Sequence, residues 1–269
     1  MGELTEEFDW FHPEDIPFLI DALNKTNGNP VLVGGQSLTF WIDYYSIPIP
    51  HITTPYLTQD ADILGSVGDA QVVANLLGGK VKIADISDNT PNTAIVIYNA
   101  QDGRKLLIDF MGGLVGLDND EINKTAVTLK YKDIGVINIL HPRLVLKSRI
   151  ANLEVLPSKR NGNGVSQARL AVEVCKKFIT EYVKSLPTAD QENYLMTKAR
   201  WLAKLAKSPS GLFVYKNWGI DVLEAAPISL ISHEAFLKLD WPKQLGWVAN
   251  KRKPKKLQIT KNISRLNHP

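Results

Sequence analysis

Apolar positions along this chain change period several times, and the changes mark out its elements. Ile16, Phe18, Leu19, Ile20 and Leu23 recur as on one side of a helix. Pro13 stands at its start, and the turn-forming run Asn24 to Pro30 ends it. Val31, Leu32 and Val33 then read as a short buried strand that stops at Gly34-Gly35. Helical spacing resumes over 36–45, with Leu38, Trp41, Ile42 and Tyr45 on one side. The stretch Ser46 to Leu57 is rich in proline and threonine, which helix and strand tolerate poorly, and it leads into a strand at Asp60-Ala61-Asp62-Ile63-Leu64. A short helix over 70–77 closes at Gly78-Gly79, and a strand over 80–83 follows. The β-prone runs 93–98 and 105–110 flank an Asp102-Gly103 turn, which predicts a hairpin ending at Gly112-Gly113. A last strand over 136–140 passes through His141-Pro142 into a helix over 143–153.

Past residue 164 the texture changes. Ala168, Ala171, Val172, Cys175, Phe178, Ile179 and Tyr182 recur at the three-and-four spacing of an amphipathic helix. Further helices are expected over 189–206 and 234–239, with 157–164 as a loop. The pattern predicts an α+β chain: a mixed β-sheet domain flanked by helices over 1–140, and a helical domain with a basic C-terminal tail over 141–269.

Composition narrows the class. With 44% hydrophobic and 22% charged residues the chain falls in the ordinary globular range. No window approaches the roughly 18 consecutive apolar residues of a membrane span, and the first 25 residues are acidic, unlike a secretion signal. A cytoplasmic protein without a membrane partner is expected. Cys175 is the sole cysteine, which excludes an intrachain disulfide and a cysteine zinc site and leaves it as core filler. The net charge of +3 hides an asymmetry. Lys243, Lys251, Arg252, Lys253, Lys255, Lys256, Lys261 and Arg265 follow Asp240 with no acid among them, and taking these eight away leaves residues 1–240 at −5. A basic tail on an acidic body suits a polyanionic partner, while Trp241 and Trp247 point to packing of part of this segment.

The candidate chemistry lies in three places. On a strand, residues two apart face the same way about 6.6 Å apart, so Asp60 and Asp62 can share a cation while Ala61 faces the core. Asp109 stands in the apolar run Leu106 to Met111, where an uncompensated carboxylate is expensive; a metal on an adjacent strand would compensate it, and a cap on the Gly112-Gly113 turn is the plainer alternative. Gly34-Gly35-Gln36-Ser37 stands between a buried strand and a helix, a junction whose amides favour phosphate. It is neither a Walker motif nor Gly-x-Gly-x-x-Gly.

The order strand, Gly-Gly-x-Ser, helix, Asp-x-Asp, then a third Asp on a later strand resembles the polymerase-beta-like nucleotidyltransferase superfamily over about residues 30–112. The resemblance makes residues 1–140 the nucleotidyltransferase domain. It implies that Gly34, Gly35, Gln36 and Ser37 bind the nucleoside triphosphate, that Asp60, Asp62 and Asp109 ligate two magnesium ions (or manganese in their place), and that Asp109 helps deprotonate the acceptor. Within the superfamily the chain is most similar to the abortive-infection toxin type, in which a proline-led helix after the sheet carries a lysine. Here that helix runs His141-Pro142-Arg143-Leu144-Val145-Leu146-Lys147-Ser148-Arg149, which assigns Lys147 and Arg149 to the triphosphate. Two features depart from the pattern: the long Ser46 to Leu57 insertion, and Gly164-Val165-Ser166-Gln167 where those toxins often carry Lys-Asp-x-x-Asp.

The expected reaction moves a nucleoside monophosphate from the triphosphate to an acceptor hydroxyl. RNA, in particular the 3′ end of a tRNA, fits the basic tail, and the toxin type implies an antitoxin protein as partner. Two alternatives stand beside it. One is a small acceptor such as an antibiotic, for which the aromatic segment Trp41 to Tyr56 would line a pocket. The other is a non-catalytic nucleotide-binding or partner-binding protein. A glycosyltransferase ranks last, because its Asp-x-Asp usually follows a nucleotide-binding parallel sheet.

Overall fold

Among the described residues, seven strands form one mixed sheet in the order β3-β4-β5-β2-β1-β7-β6. They are β1 (Val31–Leu32), β2 (Asp60–Leu64), β3 (Lys80–Ile83), β4 (Asn92–Asn99), β5 (Lys105–Met111), β6 (Val127–Tyr131) and β7 (Gly135–Ile139). The computed structural model describes residues 7–12, 14–48, 60–85, 91–131 and 133–253. Pro13, residues 49–57 of the proline- and threonine-rich stretch, and Lys255, Lys256, Lys261 and Arg265 lie outside them.

The α+β class with a mixed sheet and a helical region matches the pattern of the sequence. β2 runs parallel to β5 and β1 parallel to β7, while the other neighbours are antiparallel. The centre of the sheet is therefore assembled from strands distant in sequence, and β1 joins its two halves.

The helices are α1 (Ile16–Leu23), α2 (Gly34–Tyr44), α3 (Val67–Leu77), α4 (Asn119–Thr125), α5 (Pro142–Val155), α6 (Gly162–Tyr182), α7 (Thr188–Ala206), α8 (Pro209–Trp218) and α9 (Trp241–Arg252). α3 packs on β3 and β4 and on α1, whereas α2 packs on β2 with α5 and α6 against it. One apolar cluster continues from the sheet into the helices, from Ile63, Ile108 and Phe110 through Trp41 to Phe178 and Leu202. The Trp41 indole N–H donates to Leu140 O at 2.9 Å, which ties α2 to the end of β7.

Local chemistry accounts for the helix ends. Ser66 and Asp69 form a reciprocal capping box on α3, and Gly78 closes it in a left-handed conformation. The His141 Nδ1 accepts from the Arg143 amide at 3.0 Å at the start of α5, where Pro142 needs no donor of its own. Residues 157–164, expected as a loop, instead form a 3-10 turn at Pro157–Lys159 and then the first turn of α6. Asn161 accepts from the Gly164 amide at 2.9 Å, and this cap outweighs two glycines in the first turn. Trp241 is buried and stacks on Phe236, while Trp247 is exposed with Lys207 and Lys243 over its ring. Among the described residues, no helix is long and apolar enough to cross a membrane.

Candidate metal and nucleotide site

Strand alternation builds the acidic centre. In β2, Ala61 and Ile63 are fully buried on one face, which leaves Asp60 and Asp62 half-buried on the other. In β5, Leu106, Ile108 and Phe110 are fully buried and Asp109 alternates with them. The parallel pairing sets Asp62 directly opposite Asp109. The three carboxylates each offer an oxygen, and these oxygens all lie within 4.8 Å of one another.

Three acids this close strain one another. Burial, then the charges of Asp60 and Asp62, push Asp109 up to about 7. Burial, then Asp60, raise Asp62 to about 6, against the pull of Arg149, Lys159 and an amide donated by Gly35. Asn92 Nδ2 donates to Asp109 Oδ1 at 3.0 Å and fixes its orientation. An all-oxygen donor set of converging carboxylates suits a hard divalent cation, whose charge relieves the repulsion that burial aggravates.

The diglycine corner belongs to the same centre. Gly34 has φ +61° and a Cβ built there would lie 1.6 Å from Asp62 Oδ2, so only glycine lets α2 begin so close to the carboxylate. The first-turn amide of Gly35 is already donated to Asp62. Gly34 and Gly35 line the cleft. Ser37 and Gln36 do not: Ser37 is fully buried with its hydroxyl donating to Gly34 O at 3.0 Å, and Gln36 is buried too.

The cleft has a volume of about 630 Å³ and is walled by α2, the β2 and β5 carboxylates, α5, the start of α6, and Trp10 with Pro91 and Asn92. Arg149 reaches it from α5 while Lys147 does not. The two are about 200° apart around a helix, so they cannot share a face. Lys147 Nζ instead pairs with Glu121 Oε2 at 3.0 Å, and Arg143 binds the other oxygen of the same carboxylate. Arg149 is only 8% exposed. One guanidinium nitrogen donates to Gln167 Oε1 at 3.1 Å, and Nε has no partner among the described residues. Burial lowers its pKa, and Asp62 and Asp60 oppose that shift, but a guanidinium keeps its charge in either case.

Ser148 and Asn152 on α5, Asn163, Ser166 and Gln167 on α6, and Lys159 between them complete the helical wall. None was expected from the sequence. The signal existed: residues 163, 166, 167 and 170 form an i, i+3, i+4, i+7 stripe whose first three members are polar, beside an apolar face.

No protein-family model and no curated protein matches the chain. Among solved structures, the crystal structure of JHP933 from Helicobacter pylori aligns over 90% of this chain and 97% of that one, with 13% identity and a TM-score of 0.34.

Proposed function

We propose that this chain is a metal-dependent nucleotidyltransferase that moves a nucleoside monophosphate from a nucleoside triphosphate to an acceptor hydroxyl. The observation that carries the reading is the meeting of Asp60, Asp62 and Asp109 in one cleft with the buried guanidinium of Arg149. Acids alone would suit any cation, and a cation-seeking centre beside a buried arginine suits a polyphosphate.

Asp60, Asp62 and Asp109 would hold magnesium, for which manganese can substitute. Bound there, the metal supplies neutralisation of phosphate charge and alignment for in-line displacement. The remaining work falls to the chain. Arg149, with Nε unpartnered and Gln167 steadying its other arm, presents donors to phosphate oxygens, and exposed Lys159 adds charge at the rim. Asp109, opposite Asp62 in the register and on the wall of the same cleft, is the carboxylate that would take the proton of the attacking hydroxyl. The acceptor oxygen forms a bond to the α-phosphorus as the bond to pyrophosphate breaks, and pyrophosphate leaves with the electron pair.

The test is incubation of the purified protein with magnesium, α-labelled nucleoside triphosphates, and in turn cellular RNA, protein and small-molecule fractions. Label should enter one fraction with magnesium and not with EDTA or with Asp62→Asn. Absence of label in all three counts against the reaction class.

A further inference from the structure

Among the described residues the sheet breaks register at one point, and that point faces the acidic centre. Along β4 and β5 the pairs run Tyr98 with Leu106, Val96 with Ile108 and Ala94 with Phe110, and all of these side chains are buried. The next pair is Asn92 with Met111, so two residues on β4 are spent against one on β5. Thr93 is the extra residue of a β-bulge.

The bulge decides which face Asn92 occupies. Successive side chains on a strand point to opposite faces, so unbroken pairing would set Asn92 on the side of Ala94 and Phe110. One inserted residue moves it to the side of Met111 and Asp109. Asn92, Met111 and Asp109 accordingly line the same cleft, and Asn92 Nδ2 donates to Asp109 Oδ1 at 3.0 Å.

The insertion is fastened on both flanks. The Thr93 hydroxyl donates to Phe110 O at 3.0 Å, the Gly112 amide donates to Pro91 O at 3.0 Å, and the Ala84 amide donates to Thr93 O at 3.0 Å. Gly112 leaves room for the threonine methyl, since a Cβ there would stand 2.9 Å from Thr93 Cγ2. A bulge disrupts the ladder, and these bonds keep Asn92 where the shift in register puts it.

Asp109 has close quarters with Asp60 and Asp62, and like charges drive the three carboxylates apart. A cation needs them converged. A donor on Asp109 Oδ1 ties one of the three in place before the ion arrives, as hydrogen-bond partners behind metal ligands do. We infer that Asn92 is a positioning residue of the metal centre, aimed by the bulge and kept there by Thr93. This rests on the metal-dependent reading above and adds to it one residue that acts through Asp109 and a second that acts through Asn92.

The experiment compares Asn92→Ala, Asn92→Leu and Thr93→Val with the unaltered full chain, by manganese titration followed by electron paramagnetic resonance and by thermal unfolding in EDTA. Asn92→Leu keeps the bulk and loses the donor, while Thr93→Val keeps the branched shape beside Gly112 and loses the hydroxyl. Titrations run well below the lowest Tm of the set, so that folded protein is read. Both Asn92 variants should raise the manganese Kd by about 10- to 100-fold, and Thr93→Val should raise it in the same direction by less. A residue that only holds the sheet together would lower the Tm in EDTA and leave the Kd alone, and that result in the Asn92 variants overturns the inference. A Kd unchanged in Thr93→Val but raised in both Asn92 variants overturns the share given to Thr93. Manganese uptake by the unaltered protein with no effect of Asn92 sinks the positioning role alone; no uptake by the unaltered protein sinks the metal reading and the inference with it.

Discussion

Asp62 and Asp109 face each other across the parallel pairing of β2 with β5, as Cα partners in register. Two acids so placed, with Asp60 on the same face, hold protons that an unfolded chain would release. Asp109 stays protonated to about 7 when folded, against 3.8 as its ordinary value. The folded state therefore binds more protons across that window, so the stability these groups contribute is present below about pH 4 and is lost as pH rises through about 7. Metal-free protein should show a Tm that falls over this range in EDTA, after allowance for other groups by the Asp109→Asn variant. Magnesium competes with those protons, so its stabilisation should grow over the same window. A magnesium effect equally large at both ends of the range would speak against the site.

Asp109→Asn removes one like charge and keeps an oxygen for the Asn92 amide. At pH above 7 and without metal, its Tm should rise, by about 2–4 °C for each kcal/mol of repulsion relieved. Transfer should fall about 100-fold or more. Scanning calorimetry and the labelling assay read the two effects, and a lower Tm without metal would refute the repulsion.

Gly34 and Gly78 share a left-handed φ, +61° and +66°, but differ in what surrounds them. A Cβ on Gly78 meets nothing within 4 Å, whereas one on Gly34 collides with Asp62 Oδ2. Gly78→Ala should cost about 1–2 kcal/mol, the strain of that backbone region alone, and leave transfer intact. Gly34→Ala should cost more than that and abolish transfer, because the carboxylate must move. Urea unfolding and the labelling assay compare the pair.

How far the site can be read without coordinates follows from the range of each interaction. Asp60 and Asp62 are legible because strand alternation is local, and Gly34-Gly35 because glycine between a buried strand and a helix lets the backbone approach a neighbouring group closely, although such a pair also serves as a plain turn. Asp109 is suspicious for its apolar neighbours, but only the β2–β5 register brings it opposite Asp62. Trp10 is invisible in the pattern, since its placement depends on Asp9 pairing with Lys105, 96 residues away. The apolar pattern does not show α4, which is short and capped by Asp118, nor α8, which Ser208 starts and Gly219 ends, nor α9, where only the packing of Trp241 stands out. β6 alternates Val127, Leu129 and Tyr131 inward against Thr128 and Lys130, a period-two signal that the sequence itself carries.

The helix after the sheet separates two cations that the sequence groups together. Lys147→Ala removes half-exposed pairing with Glu121, so it should cost no more than about 1 kcal/mol and leave nucleotide affinity unchanged. Arg149→Lys keeps the charge but loses the planar fork, and nucleotide Kd should rise about 10- to 100-fold, as for loss of a charge-assisted hydrogen bond or two. Isothermal titration with a non-hydrolysable triphosphate and magnesium decides between them, and a larger effect at Lys147 would reverse the assignment.

The central claim is that Asp60, Asp62 and Asp109 jointly hold a divalent cation, and manganese titration followed by electron paramagnetic resonance tests it most directly. The unaltered protein should take up manganese at neutral pH, magnesium should displace it, and Asp60→Asn with Asp62→Asn, or Asp109→Asn alone, should remove or sharply weaken the uptake. Manganese binding of equal strength in all of these variants would contradict the claim.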